Sequence, residues 1–257
     1  MTQQYQKIPL VIDTDIGTDC DDAFALAYAT KNSNANVKAI VTVQEHYKVR
    51  AKIARKLTQL VGKNIPIIIG SDGQEKYWTG IESNILSAAE CMISIEKLAF
   101  PTYDADTKIA CLGPLTNIAL QLKENPHIKN VKTIYVMGSH DASHNFQVDL
   151  QAKEQVFSQP WNIYQITKED SLKIYLTKED IKSLEKNKLG KFLAASANQW
   201  LELIKREQAS MYDVLVVSAA LGEGYVKFKQ IAPNRFISCG VDLKLKDKLL
   251  EAIANAS

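Results

Sequence analysis

Nowhere in the 257 residues is there an apolar run of the about 20 residues needed to cross a bilayer. The opening residues, Met1-Thr-Gln-Gln-Tyr-Gln-Lys7, have none of the apolar core of a secretory leader. Cysteine is scarce and scattered, at positions 20, 91, 111 and 239, with no C-x-x-C pair. That spacing argues against a zinc site and predicts free thiols in a reducing compartment, so a cytoplasmic chain is expected. A dominant charge is lacking too: 31 Lys and Arg stand against 29 Asp and Glu, a formal net charge of +2. Such a balance argues against a nucleic-acid or membrane partner. No repeat, low-complexity tract or linker interrupts the chain, and its length suits a single domain over residues 1–257 with a substantial core.

What the sequence does have is a concentration of acid near its start. Leu10, Val11 and Ile12 form a continuous apolar run of the kind a buried parallel strand carries. Five aspartates follow, Asp13, Asp15, Asp19, Asp21 and Asp22, with Gly17 among them as a turn residue. An alanine-rich helical pattern sets in at Ala23, so Asp21 and Asp22 fall at a helix N-terminus, where the macrodipole favours anions. Carboxylates crowded at the C-terminal end of a strand occupy the place where open α/β sheets bind ligands. Their mutual repulsion is most simply relieved by a divalent cation, and an all-oxygen set suits Ca²⁺ or Mg²⁺. Asp19 reads better as a turn former or cap; Asp13 and Asp15, directly after the strand, read as functional.

Strand and helix signals then alternate. Val37–Val43 reads as a strand, and a basic helix runs from about Tyr47 to Val61, carrying Lys48, Arg50, Lys52, Arg55 and Lys56. That basic stretch is either a phosphate-binding face or, more simply, a solvated one. Ile65–Gly70 reads as a strand, residues 71–84 as turns around Tyr77-Trp78-Thr79-Gly80, and Ser83–Leu98 as a helix. Lys108–Gly113 is a further strand, running into Pro114, which suits the first turn of a helix that continues to Leu122. Val131–Met137 and Trp161–Ile166 read as strands around a polar loop, Gly138–Asn145, and a helix from about Leu150 to Ser158. The last third is helix-rich: Lys178–Arg206, a buried helix Asp213–Leu221 and a helix Val241–Ala254, with one short strand at Phe236–Gly240. The expectation is an α/β protein with an open, mostly parallel β-sheet flanked by helices.

Four polar groups stand at element ends: Asp13–Asp22, Leu112–Asn117, Gly138–Asn145 and Ser210–Asp213. Asp213, heading an apolar helix, is by position either an N-cap or a site residue. Asp13-Thr-Asp-Ile-Gly-Thr-Asp-Cys-Asp-Asp-Ala resembles the aspartate-rich N-terminal signature of the inosine-uridine preferring nucleoside hydrolases, in a variant with extra residues before the paired aspartates. Leu112-Gly-Pro-Leu-Thr-Asn-Ile-Ala-Leu is similar to that family's second signature and Tyr135-Val-Met-Gly to its third. Asn145-Phe-Gln-Val-Asp-Leu and Tyr212-Asp-Val-Leu-Val-Val extend the resemblance over nearly the whole chain.

The resemblance implies an open αβ sheet and a bound Ca²⁺ used to hydrolyse the N-glycosidic bond of a ribonucleoside. Carried over by position, Asp15 would bind the metal and act as general base on a metal-bound water. Asp22, Asp213 and the carbonyl of Leu112 would complete the metal ligands, with Asp13 orienting its neighbours from behind them. Asp21 and Asn145 would hold the ribose. A small-molecule nucleoside as partner and a homo-oligomer, dimer or tetramer, are further implications.

Three positions depart from the family pattern. His46 stands where an asparagine usually touches the ribose, Ser143 where a glutamate reaches the 5′-hydroxyl, and Tyr212 where a histidine protonates the leaving base. Tyr212 is then the candidate acid and His46 a candidate substrate contact. Trp78 could stack on a nucleobase or simply pack; His140 and His144 could replace lost contacts or be plain surface residues. These changes point to a shifted substrate, such as a modified or 5′-substituted nucleoside, or to a slow enzyme. One alternative is a metal- and ribose-binding relative without turnover. A haloacid-dehalogenase-like phosphatase shares Asp13-x-Asp15 but wants Thr or Val where this chain has Gly17.

Overall fold

The computed structural model describes residues 6–73, 78–96 and 98–255. Its strands are β1 (Ile8–Thr14), β2 (Ala35–Thr42), β3 (Ile67–Ile69), β4 (Lys108–Cys111), β5 (Thr133–Met137), β6 (Asn162–Ile166), β7 (Tyr175–Thr177), β8 (Gln208–Ser210), β9 (Val226–Ala232) and β10 (Arg235–Val241). Eight form one sheet in the order β3-β2-β1-β4-β5-β6-β10-β9, while β7 and β8 pair separately as an antiparallel ribbon. Every neighbour in the large sheet is parallel except β9 against β10. This is the open, mostly parallel α/β sheet expected from the alternation, with a helix-rich last third.

The strand order positions the site. From β1 the chain winds outward to β2 and β3, then returns to lay β4 on the other side of β1. The winding therefore reverses between β1 and β4, and a crevice opens beyond their C-terminal ends. The register places Asp13 beside Val41 on one side and Cys111 on the other. The amide of Leu112 extends the ladder by donating to the Asp13 carbonyl at 2.8 Å. The two most informative sequence motifs thus leave the sheet side by side.

Both faces of the sheet are covered. Leu10 and Ile12 point into one buried cluster with Phe24, Leu193, Val214 and Leu249, and Val11 into the other with Ile118, Val136 and Phe146. The alternation follows from the two-residue period of a strand. Two of the covering helices are buried along their length: Asp21–Lys31 from Asp21 to Thr30, and Tyr212–Ala220 from Asp213 onward. Helices apolar all round belong in a core. Because each begins with aspartate, burying them carries carboxylates into the interior.

Two parts of the sequence reading are corrected. Ser83–Leu98 does not form one helix: a 3-10 turn at Ser83–Ile85 is followed by a new helix, Ala88–Met92. Ser87 and Glu90 cap that helix reciprocally, so the serine starts a segment rather than continuing one. The edge strand β9 and the ribbon β7–β8 were also not foreseen. In β9 lysines alternate with Val226 and Phe228 on an edge that is mostly exposed, a weak apolar signal typical of a protected sheet border. Among the described residues no helix is long and apolar enough to cross a membrane. Of the turn-rich stretch, Tyr77 lies outside the described residues.

Candidate active site

The loop leaving β1 is held from several directions. Thr14 Oγ1 donates to Asp22 Oδ1 and accepts the amide of Ile16 at 3.2 Å, closing the loop onto its following helix. Gly17 adopts a φ of +110°, and a Cβ there would lie 2.7 Å from the Trp78 ring, so both the backbone and the contact require glycine. The Gly17 carbonyl accepts the amide of Gly80 at 3.0 Å. Behind the strand end, Asn117 Nδ2 donates to Asp13 Oδ2 at 2.8 Å, and Asn117 Oδ1 accepts the Ser71 amide at 2.7 Å. Gly70 leaves room for that amide group, since a Cβ would sit 2.3 Å from Asn117 Oδ1.

A cavity of about 650 Å³ opens at the crevice, in the size range of small-ligand sites. Its floor is carboxylate: Asp15, Asp19, Asp21, Asp22 and Asp213 all line it. Asp19, Asp21 and Asp22 each present an oxygen within 4.8 Å of the others. Burial, reinforced by neighbouring aspartates, pushes Asp21, Asp22 and Asp213 well above the usual carboxylate range. Burial likewise pushes Asp13 up to about 8, with the Asn117 hydrogen bond opposing it. Asp13 Oδ1 is buried with no hydrogen-bond partner among the described residues. Asp15, at 8% exposed, is more open than Asp21, Asp22 and Asp213 at 2–4%, and only the half-buried Asp19 is more open among the cavity's aspartates.

An oxygen-only set whose ionised form is penalised this heavily suits a hard divalent cation, which would replace the missing counter-charge. The residues fit that group. Leu112 lines the same cavity, and its carbonyl accepts Asn145 Nδ2 at 2.5 Å, which leaves a second lone pair for another partner. The Asn145 amide also donates to the Met137 carbonyl at 3.3 Å, so this side chain spans the ends of two neighbouring strands.

Of the residues singled out from sequence, Asp15, Asp21, Asp22, Leu112, Asn145, Tyr212 and Asp213 meet in this cavity, and Asp13 lies directly behind it. Burial, more than any charge nearby, raises the Tyr212 hydroxyl above its ordinary value, so it stays protonated at neutral pH. His46 and Trp78 are not in the cavity wall; their rings face each other at 4.9 Å, and Trp78 packs on Gly17. His140, Ser143, His144 and Lys168 form the cavity's other end. There the Ser143 hydroxyl accepts the amides of Ser139 and His140 at 3.0 and 3.2 Å, closing its own loop.

Two residues were undervalued in the sequence. Asp19, read as a turn former, lines the cavity beside Asp21 and Asp22. Arg50, read as part of a solvated or phosphate-binding face, is 1% exposed. Its spacing held the clue: Arg50, Ile53, Ala54 and Leu57 fall on one stripe at i, i+3, i+4 and i+7, and all four are buried.

The family model for inosine-uridine preferring nucleoside hydrolases matches residues 10–249. The chain is 26% identical over 242 residues to the non-specific ribonucleoside hydrolase RihC of Salmonella paratyphi A, covering 82% of this chain and 78% of that one. In fold it is similar to the purine-preferring ribonucleoside hydrolase from Gardnerella vaginalis, with a TM-score of 0.79 at 19% identity over 96% of this chain and 98% of the other. It is similar as well to the inosine-uridine preferring nucleoside hydrolase from Bacillus anthracis, with a TM-score of 0.75 at 17% identity over 96% and 99% of the two chains.

Proposed function

Given that the chain belongs to the inosine-uridine preferring nucleoside hydrolases and is a ribonucleoside N-glycosyl hydrolase, we propose how its residues divide that reaction among them. The observation that carries the reading is the convergence of Asp15, Asp21, Asp22, Leu112, Asn145, Tyr212 and Asp213 on one cavity at the sheet's switch point.

Asp15, Asp22, Asp213 and the Leu112 carbonyl would hold a hard divalent cation, Ca²⁺ as the family resemblance implies. When bound, that cation supplies the positive charge that grips ribose hydroxyls and makes a water molecule easier to deprotonate. Asp15, directly after β1 and less enclosed than Asp21, Asp22 and Asp213, takes the proton of the attacking water. Asp21 accepts hydrogen bonds from ribose hydroxyls, and Asn145, braced on the ends of β4 and β5, holds the sugar from the opposite side. Asp13 keeps the loop in register from behind.

As the N-glycosidic bond lengthens, positive charge builds on the ribose ring, and the surrounding carboxylates stabilise it electrostatically. The water oxygen forms the new bond to C1′. The electron pair of the broken bond leaves with the base, which takes a proton or hydrogen bond from the Tyr212 hydroxyl. The products are ribose and the free base. The departure at Ser143, whose hydroxyl is engaged within its own loop, favours a substrate substituted at the 5′ position or on the base over plain inosine or uridine.

The test is ribose release from a panel of purine, pyrimidine and modified ribonucleosides, with and without a chelator, in the wild type and in Asp15→Asn. We expect release that depends on Ca²⁺ and falls by about 10²–10⁴-fold in the variant, the usual contribution of a positioned base. Full activity in Asp15→Asn would overturn the assignment of the base.

A further inference from the structure

We propose that Arg50 is the positioning residue of the aspartate loop, and that Trp78 and His46 serve as the cover of its guanidinium. Arg50 is among the largest side chains buried to within 2% of full enclosure. From helix Tyr47–Leu60 it reaches across to the end of β1. Its Nη1 donates to the carbonyl of Asp15, to the carbonyl of Ile16 at 3.0 Å and to Thr18 Oγ1 at 2.9 Å, while its Nε donates to the Glu45 carbonyl at 2.8 Å. One planar group therefore holds successive points of the loop that carries Asp15, and ties that loop to the turn before its own helix.

These four acceptors are neutral oxygens. A guanidinium does not lose its proton in a protein, so a full positive charge is kept beside the aspartate cluster, where it favours the ionised form of Asp22. The carboxylates stay directed at the cavity, and the charge beneath offsets part of their repulsion. The loop path also sets where the Asp15 carboxylate sits, because the carbonyl of the same residue is one of the fixed points.

The cover is built to match. The Trp78 ring lies 4.7 Å from the guanidinium carbon, a cation–π distance, and the His46 ring lies against the indole at 4.9 Å, tilted by 35°. His46 has a left-handed backbone, φ +63°, uncommon for a residue with a side chain, and it is the residue from which the helix bearing Arg50 starts. Gly17, in the clamped loop, touches the other part of the same tryptophan. Loop, indole, guanidinium and imidazole are thus one packed unit next to the cavity.

The proposal rests on Asp15 being the base, and the tests separate the two. Lysine keeps the charge of Arg50 but cannot present a planar fork to several oxygens. We expect folded Arg50→Lys to lose about 10²-fold in kcat, as a displaced catalytic group does, with KM for the nucleoside little changed. Calorimetric titration with Ca²⁺ alone should show weaker binding than in the wild type. Trp78→Ala should likewise lower kcat rather than raise KM, and Trp78→Phe, with a ring still over the guanidinium, should recover most of the loss.

Wild-type kcat and Ca²⁺ affinity in a folded but less stable Arg50→Lys would overturn the proposal. So would a Trp78→Ala enzyme with normal kcat and a raised KM, the signature of a tryptophan that stacks on the base. Should Arg50→Lys not fold, the Trp78 pair decides alone. If Asp15→Asn is itself fully active, the reading of the base fails instead, whatever the Arg50 result.

Discussion

The backbone amide of Asp213 donates to Oδ2 of Asp21 at 3.2 Å, joining the N-termini of two buried helices that are 192 residues apart in sequence. The bond uses the amide of one aspartate and the carboxylate of the other, so both side chains stay in the same small volume. In the cation-free protein that arrangement is costly, since burial and the neighbouring aspartates both disfavour the ionised form. Asp213→Asn keeps the backbone bond and removes one charge. We expect it to raise the melting temperature of chelator-treated protein, by an increment within the about 0.5–2 kcal/mol typical of relieved sites. It should also abolish most of the stabilisation that Ca²⁺ gives the wild type, about 2.7 kcal/mol at a hundredfold excess over Kd. Melting curves with and without Ca²⁺ on both proteins check this; an equal Ca²⁺ increment in the two would remove Asp213 from the ligand set.

Tyr212 is the residue proposed as leaving-group acid, and burial keeps its hydroxyl protonated. Removing that hydroxyl matters in proportion to how badly the leaving group needs a proton. For Tyr212→Phe, kcat should fall by about 10²-fold on nucleosides with basic leaving groups. On a riboside whose aryl leaving group departs unaided, it should barely change. An equal loss on both substrates would show that Tyr212 acts on the sugar or the loop.

Gly113 lies against the proposed base: a Cβ added there would come within 2.6 Å of Asp15 Oδ1 and 2.9 Å of its Cγ. The methyl group of Gly113→Ala must therefore displace the Asp15 carboxylate. We expect kcat to drop by one to two orders of magnitude, in line with the penalty for a displaced catalytic group, with circular dichroism unchanged. Wild-type turnover in this variant would mean that the position of Asp15 is not critical.

Glu82 is fully buried, accepts Ser196 Oγ at 2.7 Å through one oxygen, and has no hydrogen-bond partner among the described residues for the other. Burial pushes it up to about 8 from 4.5. The folded state then holds a proton that the unfolded state has released between these two values. Unfolding free energy must therefore fall as pH rises through that window, by at most about 1.4 kcal/mol per pH unit for one group. Glu82→Gln cannot titrate. Denaturant unfolding at several pH values should give a shallower slope for the variant than for the wild type, and identical slopes would show that Glu82 is not the group responsible.

How far the sequence alone reaches is clearest from β1. Its apolar run and the aspartates after it are local signals, and they point to the strand end at the switch point, where the cavity opens. The Gly113-Pro-Leu-Thr-Asn117 segment is legible for the same reason, and Asn117 is found to brace Asp13. Asp213 is different: a residue at the head of an apolar helix looks alike as a cap or as a site residue, and only the packing of that helix against Asp21–Lys31 brings it to the cavity. Trp78 and His46 illustrate the opposite limit. Their types suggest contact with a nucleoside, yet Trp78 faces Arg50 and His46 lies against Trp78, and the burial of Arg50 depends on a loop 35 residues earlier in the chain. The strand β9 escaped because an exposed edge carries lysine where a central strand carries valine.

Translation delivers Asp21 to the growing protein 192 residues before the Asp213 amide it will accept. Until that late helix emerges, the early aspartates have neither the partner that closes their site nor the apolar neighbour that shields it. If the cation is held as proposed, its tight capture waits for the helix Tyr212–Ala220 rather than seeding the strands before it. A ribosome-stalled fragment ending before residue 212 should then bind Ca²⁺ poorly however many of those strands it has already built.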